Sequence, residues 1–266
     1  MEIVCPSWCP EADNIEIGLP ILAKQGVTAI DIALDCPPSF FDFRSIDSVS
    51  RLVQALDATP IRVHSIHAPF GSELDLSSFD DRVHEHGVEA QIDAMELAKV
   101  LGAAVVVIHA SDFGITDSDR KRRLDRARGV IRELAGVAQE SGLTLAIENL
   151  PPGYLGSRPE EILWLIEQSR SESVAVCFDT GHAHLTGNLE RYARMLLPQS
   201  AIMHLHDNDG KNDQHAFPGN GSIDWTAFGK LYNESGGLAF PMLECAPPNG
   251  MLWREAIRCV ATRLKS

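Results

Sequence analysis

The chain has 266 residues, 44% of them hydrophobic, which is enough to bury a full core and, at this length, to form one α/β barrel domain spanning 1–266. With 37 acidic against 23 basic residues the formal net charge is −14, which argues against nucleic acid as a partner because binding a phosphate backbone takes a basic face. Six scattered cysteines (Cys5, Cys9, Cys36, Cys177, Cys245, Cys259) with no CxxC pair read as reduced thiols, MEIVCPSWCP does not resemble a secretory leader, and no apolar run approaches a membrane span, so a cytoplasmic protein is expected.

In chain order, short β-branched or apolar runs alternate with longer stretches of helical spacing. EIVC (2–5) precedes a helix expected at 16–25, TAIDIAL (28–34) one at 45–57, IRVHSIH (61–67) one at 80–101, and AVVVIHA (104–110) one at 118–141. TLAIENL (144–150) precedes 158–169, VAVCFDT (174–180) precedes 188–196, AIMHLHD (201–207) precedes 224–235, and PMLEC (241–245) precedes 251–264. Asp80, Asp119 and Asp224 stand where helices should start, Pro159 falls in a first turn, and Gly102, Gly142 and Gly236 stand where helices should stop. Eight such units imply a parallel sheet closed into a (β/α)8 TIM barrel. A doubly wound open sheet is the alternative, but no GxGxxG follows the first strand.

Strands three to eight end in His67, His109, Glu148, Asp179, His204 and Glu244, each a residue able to bind a metal. In a parallel barrel these ends meet at one face, where active sites of this fold lie. Alternation agrees: Val105, Val107 and His109 share a face, as do Ala146 and Glu148, and Cys177 and Asp179. So many carboxylates and imidazoles desolvated without partners would be costly, and a cation would resolve the cost. Nitrogen and oxygen donors without thiolates suit Zn²⁺, Mn²⁺, Co²⁺ or Fe²⁺ better than Ca²⁺. His182 in FDTGH (178–182), and Asp213 and His215 at the end of HLHDNDGKNDQH, are further ligand candidates expected in loops.

The motifs IHAP (66–69), VIHA (107–110), AIEN (146–149), FDTGH (178–182), HLHDN (204–208), DQHAFPGNG (213–221) and LEC (243–245) resemble, in order, those of the xylose isomerase-like TIM-barrel superfamily. That group includes sugar and sugar-phosphate isomerases and epimerases together with endonuclease IV enzymes. The endonuclease IV resemblance implies a three-metal site at His67, His109, Glu148, Asp179, His182, His204, Asp213, His215 and Glu244. The epimerase resemblance implies a one-metal site at Glu148, Asp179, His204 and Glu244. Asn220 in PGNG departs from the family's PGEG, which removes a carboxylate there.

The expected cofactor is therefore a divalent metal, with Zn²⁺ or Mn²⁺ foremost, at one to three ions. Two mechanisms compete. In an isomerase or epimerase of a sugar or sugar phosphate, Glu148 and Glu244 would exchange a carbon-bound proton through a metal-stabilised enediolate. In an endonuclease IV-like phosphoester hydrolase, several zinc ions would activate water. Charge and the short loops favour the first, with a small sugar-like substrate and without nucleic acid or membrane as partner. Trp8, Phe70 and His206 are the candidate substrate contacts, with His206 also a rival or support for His204. RKRRLDRAR (120–128) reads as a solvated helix face. A homo-oligomer is compatible with the sequence, which sets no oligomeric state.

Overall fold

A computed structural model describes residues 1–8 and 12–265, so Cys9 lies outside the described residues. The strands are β1 (Cys5–Pro6), β2 (Ala29–Ala33), β3 (Arg62–His67), β4 (Val105–Ile108), β5 (Thr144–Glu148), β6 (Val174–Asp179), β7 (Ser200–Leu205) and β8 (Phe240–Leu243). They pair in parallel and in sequence order. Hydrogen bonds from Val4 N to Pro241 O (2.8 Å) and from Leu243 N to Val4 O (2.8 Å) bring β8 back to β1, giving a (β/α)8 TIM barrel.

The helices are α1 (Ile15–Lys24), α2 (Ile46–Asp57), α3 (Asp81–Leu101), α4 (Asp117–Ser141), α5 (Pro159–Ser169), α6 (Thr180–Leu185), α7 (Leu189–Leu196), α8 (Trp225–Glu234) and α9 (Trp253–Arg263). Asp80 and Asp224 cap α3 and α8 through their side chains, and Gly102 and Gly142 adopt the left-handed conformation that ends α3 and α4. The residue before α4 is Thr116, not Asp119, which lies in the first helical turn and accepts from Thr116 Oγ1. One helix departs from expectation. FDTGH is not a loop: Asp179 Oδ1 accepts from His182 N at 2.6 Å and starts α6 directly at the end of β6.

Two further differences have identifiable causes. Strand alternation predicts His64 on the face opposite His67, but the β2–β3 register shifts between Ile30 and Asp31, and the His64 ring packs 4.4 Å from Phe240, which alternates with Met242 and Glu244. The basic run of α4 is a solvated face only in part: Lys121 and Arg122 are exposed, but three of its arginines are engaged. Arg120 is buried on Glu161 (2.7 Å), Arg123 bonds Asp75 (3.0 Å), and Arg126 pairs with Asp81. Guanidinium groups so engaged offer no ready phosphate site.

The barrel interior beneath the site is filled by Val4, Ala29, Val105, Val107, Ala146, Cys177, Ile202 and Met242. Two residues further along their strands, alternation returns to the same face as Asp31, His109, Glu148, Asp179, His204 and Glu244, so the polar layer rests on a packed apolar floor. No helix among the described residues is long and apolar enough to cross a membrane.

Candidate metal and substrate site

Glu148 is the hub. Its carboxylate lies 3.1 Å from His67 Nε2, 3.4 Å from His109 Nε2, 3.3 Å from His182 Nδ1 and 3.4 Å from His204 Nδ1. His204 Nδ1 is also 3.3 Å from Glu244 Oε1, and His182 Nε2 and His215 Nε2 lie 3.2 and 3.3 Å from Asp213 Oδ2. All nine residues singled out as metal ligands therefore converge at the C-terminal mouth of the barrel, on β3 to β8, α6 and the loop after β7.

The rings are held from behind. His67 Nδ1 faces Ala68 O (3.0 Å), His109 Nδ1 faces Asp112 Oδ1 (2.7 Å), His182 Nδ1 faces Asn149 O (2.9 Å) and His215 Nδ1 faces Glu244 O (3.1 Å). A nitrogen engaged by an acceptor carries the proton and leaves the lone pair on Nε2, which is the arrangement of metal-binding histidines. Buried polar atoms without a hydrogen-bond partner collect at the same place: both ring nitrogens of His204, Nδ1 of His206, Oδ2 of Asp179 and Oε2 of Glu244. Such atoms are costly unless something satisfies them, and nitrogen and carboxylate donors this close suit a divalent cation. The donor set fits the metal expected from the sequence.

Without a cation the cluster's protons are shared internally. Burial would raise the Glu148 carboxyl, but the surrounding histidines, His204 foremost, hold it well below the usual carboxylate range. Burial likewise opposes the low position of Asp213, where hydrogen bonds from His182 and His215 prevail. Against burial, bonds to Asp112 and Glu148 lift His109 to about 9, and Asp213 lifts His215 to about 9. Both histidines must lose a proton to bind metal. Apparent cation affinity should therefore climb as pH rises from about 6.5 to about 9, as calorimetric titration would show. The sign reverses for the cation-free fold. Folded-state values raised above about 6.5 give stability that is complete below that pH and lost as pH passes through about 9, so its melting temperature should fall across the same window.

A cavity of about 1020 Å³ opens onto this cluster. Trp8, Pro37, Phe40, Phe70 and Met242 give it an apolar wall, while Asp31, Asp35, Glu148, Asp213 and Glu244 supply carboxylates. Trp8 and Phe70 thus stand where substrate contacts were expected. His206 does not: it is fully buried, off the cavity wall, with Nε2 3.1 Å from Asp179 Oδ1. Its neighbours in the sequence build the loop. Asp207 accepts from Asn208 N, Gly219 N, Ile223 N and Trp225 Nε1, Asn208 Nδ2 donates to Gly181 O, and Asp209 accepts from Lys211 N and Asn212 N. His184 Nε2 lies 2.8 Å from Ser222 Oγ. The exposed Asn220 is a turn residue whose N–H donates to Phe217 O.

Two site residues escaped the sequence reading. Asp31 is buried beneath the cavity, accepts from Ser65 Oγ at 2.5 Å, and is pushed upward by burial. Its signal was the alternation Ala29, Asp31, Ala33, which placed a carboxyl on the inward face. Asp112 follows His109 by three residues and fixes its ring. An Asp112→Ala variant should bind a divalent cation about 10- to 100-fold more weakly while keeping its fold, as equilibrium dialysis and circular dichroism would report. Unchanged affinity would remove Asp112 from the site.

The model of a family described as xylose isomerase-like TIM barrel matches residues 19–263. The chain belongs to this family. An uncharacterized protein of Methanocaldococcus jannaschii is 31% identical over 189 residues, covering 69% of this chain and 64% of the relative, so the match leaves about a third of that protein's length unspanned. A probable endonuclease 4 of Sulfurihydrogenibium sp. is 24% identical over 240 residues, covering 84% of this chain and 85% of that protein. Among solved structures, a D-tagatose 3-epimerase-like protein superimposes with a TM-score of 0.82 at 24% identity, over 100% of this chain and 97% of that one. Membership of this xylose isomerase-like family and the epimerase-like neighbour agree on the fold.

Proposed function

We propose that the chain is a divalent-cation-dependent isomerase or epimerase of an uncharged sugar. The observation that carries this reading is the cavity wall: five carboxylates line it, and among the described residues no lysine or arginine does. A phosphoryl group placed there would find only the imidazoles of His67, His109, His182 and His215, which the carboxylates of the cluster already engage, and no guanidinium or ammonium to receive it. A polyhydroxy carbonyl compound meets hydrogen-bond acceptors beside an apolar face instead. The resemblance to an epimerase-like structure over both full lengths supports the same class.

Glu148, Asp179, His204 and Glu244 would hold the cation, with His67 and His109 beside them. Bound there, it would polarise a substrate carbonyl and stabilise charge on neighbouring oxygens. Glu148 and Glu244 flank His204 at 3.4 and 3.3 Å, and both line the cavity. Each is held ionised in the cation-free protein, the form in which a carboxylate can accept a proton from carbon, and the pair would return it as acid. Trp8 and Phe70 close the apolar side and limit water around the reacting carbons.

A second reading, an endonuclease IV-like hydrolase with several zinc ions, draws on the complete nine-residue cluster and on the probable endonuclease 4 relative. One assay separates the two. Protein loaded with Zn²⁺ or Mn²⁺ is incubated with free ketoses, with their phosphates, and with an abasic-site oligonucleotide. Conversion of free ketoses in preference to the phosphates is expected; cleavage of the oligonucleotide with no sugar converted would overturn the proposal.

A further inference from the structure

Strands β3 to β8 lead to the cation donors, and β1 and β2 do not. The cavity nevertheless runs over their ends, where Ser7, Trp8, Asp31, Ala33 and Asp35 line it. Asp35 is exposed, so among the described residues Asp31 is the carboxyl buried on that side. We propose that Asp31, oriented by Ser65, receives one hydroxyl of the sugar and so sets which sugar is accepted. The inference rests on the sugar reading above and deepens it, and it draws on none of the cation donors.

The strand pairing is arranged to put Ser65 against Asp31. Along β2 and β3, Ala29 pairs with Arg62 and Ile30 with Val63, but Asp31 pairs with Ser65, so β3 carries one extra residue, His64, at that step. Unshifted pairing would set Asp31 against His64 and Ser65 against Ile32, which packs in the outer core rather than the barrel interior. A bulge re-aims side chains, and bulges gather beside active sites. Here it delivers the Ser65 hydroxyl to Asp31 Oδ1 at 2.5 Å. From the other side Ser7 N donates to Asp31 O at 2.8 Å, so both the backbone and the carboxyl are fixed before any substrate arrives.

What fixes the carboxyl does not satisfy it. Asp31 is 2% exposed, and among the described residues Ser65 Oγ is the only donor to its side chain. A carboxylate offers about four acceptor positions, and a buried one left with a single neutral donor is costly. Burial pushes this carboxyl up against the attraction of His204 and His67, and Glu244 adds to the push. A further partner can enter only from the cavity that the group lines. Ionised, Asp31 accepts from a hydroxyl; protonated, it can also donate to one. Ala29 and Ala33 flank it on the inward face with methyl groups alone, so no other inward side chain of β2 can make the contact.

Deoxy sugars test that contact. The ketohexose that the cation-loaded protein converts fastest, and each monodeoxy analogue of it, are compared by kcat/KM in wild type, Asp31→Ala and Ser65→Ala. In wild type one analogue should fall by roughly 10- to 100-fold, because the hydroxyl it lacks leaves the buried carboxyl unpaired. Asp31→Ala should convert that analogue and the parent sugar within a few-fold of one another, and should stay as sensitive as wild type to the other missing hydroxyls. A merely structural role would lower every sugar alike. Ser65→Ala, which leaves the carboxyl but frees it to turn, should narrow the same gap without closing it. Mn²⁺ affinity should stay within a few-fold of wild type in both variants.

A gap that persists unchanged in Asp31→Ala would overturn the proposal, and so would loss of Mn²⁺ binding, which would make Asp31 a cation ligand instead. If Asp31→Ala does not fold, Ser65→Ala decides, and an unchanged gap there overturns the proposal as well. Wild-type protein that converts ketoses with no such gap sinks this inference and leaves the sugar reading intact. Conversion of no ketose sinks the sugar reading and this inference with it.

Discussion

Glu148→Gln and Glu244→Gln are each expected to lower sugar turnover by roughly 10²- to 10⁴-fold with cation supplied in excess, the range that general acid–base catalysis contributes. The amide keeps an oxygen donor in place and removes the base together with its negative charge. The two variants should differ in a second property. Glu148 is buried among four histidines, so replacing its charge by a neutral amide leaves His67, His109, His182 and His204 without their shared counter-charge, and cation affinity should fall as well. Glu244 is partly exposed and faces His204 and His206, and its variant should lose turnover with less loss of cation. Turnover within a few-fold of wild type in both variants would show that neither carboxylate moves the proton.

The second large effect is on binding itself. Asp179→Ala and His204→Ala should each abolish tight cation binding to the cavity subsite while the circular dichroism spectrum stays that of the parent. Both side chains are fully buried, yet they rest above the apolar floor of Cys177 and Ile202, which carries the packing. Asp179 has a further task, because its Oδ1 caps α6 and faces His206 Nε2; Asp179→Ala should therefore lose more stability than His204→Ala. His204→Ala removes a ring whose two nitrogens are both unsatisfied in the cation-free protein, so its cation-free form should be destabilised mainly by the cavity left behind. Unaltered cation binding by both variants would refute the assignment of ligands.

The barrel and the ligand cluster were legible because each rests on a short-range rule repeated many times. Strand alternation fixes which side chains enter the barrel, and parallel strands bring their ends to one face, so His109, Glu148, Asp179, His204 and Glu244 could be placed without knowing any loop. What escaped depends on irregularities and on contacts distant in sequence. The register shift beside Ile30 carried His64 to Phe240, which no alternation rule anticipates. The pairing of Arg120 with Glu161 and of Arg123 with Asp75 joins residues 41 and 48 positions apart, so α4 read alone looked like a solvated basic face. His206 stands on the side of His204, beside Asp179, and only its expected substrate contact fails, for a subtler reason. Alternation keeps it on the side of His204, but β7 ends at Leu205, and beyond that point Thr180 and Gly181 of α6 seat the ring against Asp179 and off the cavity wall.

Solvent exchange tests the isomerase reading most directly. The cation-loaded protein is incubated in D₂O with a free ketose that it converts, and the product is analysed by mass spectrometry and NMR. A proton taken by Glu148 or Glu244, both of which line the open cavity, can exchange with solvent before it returns, so deuterium is expected at the carbon next to the carbonyl. Conversion without any solvent label would contradict the proton-transfer route, and release of phosphate from an ester with no labelled sugar would contradict the proposed activity as a whole.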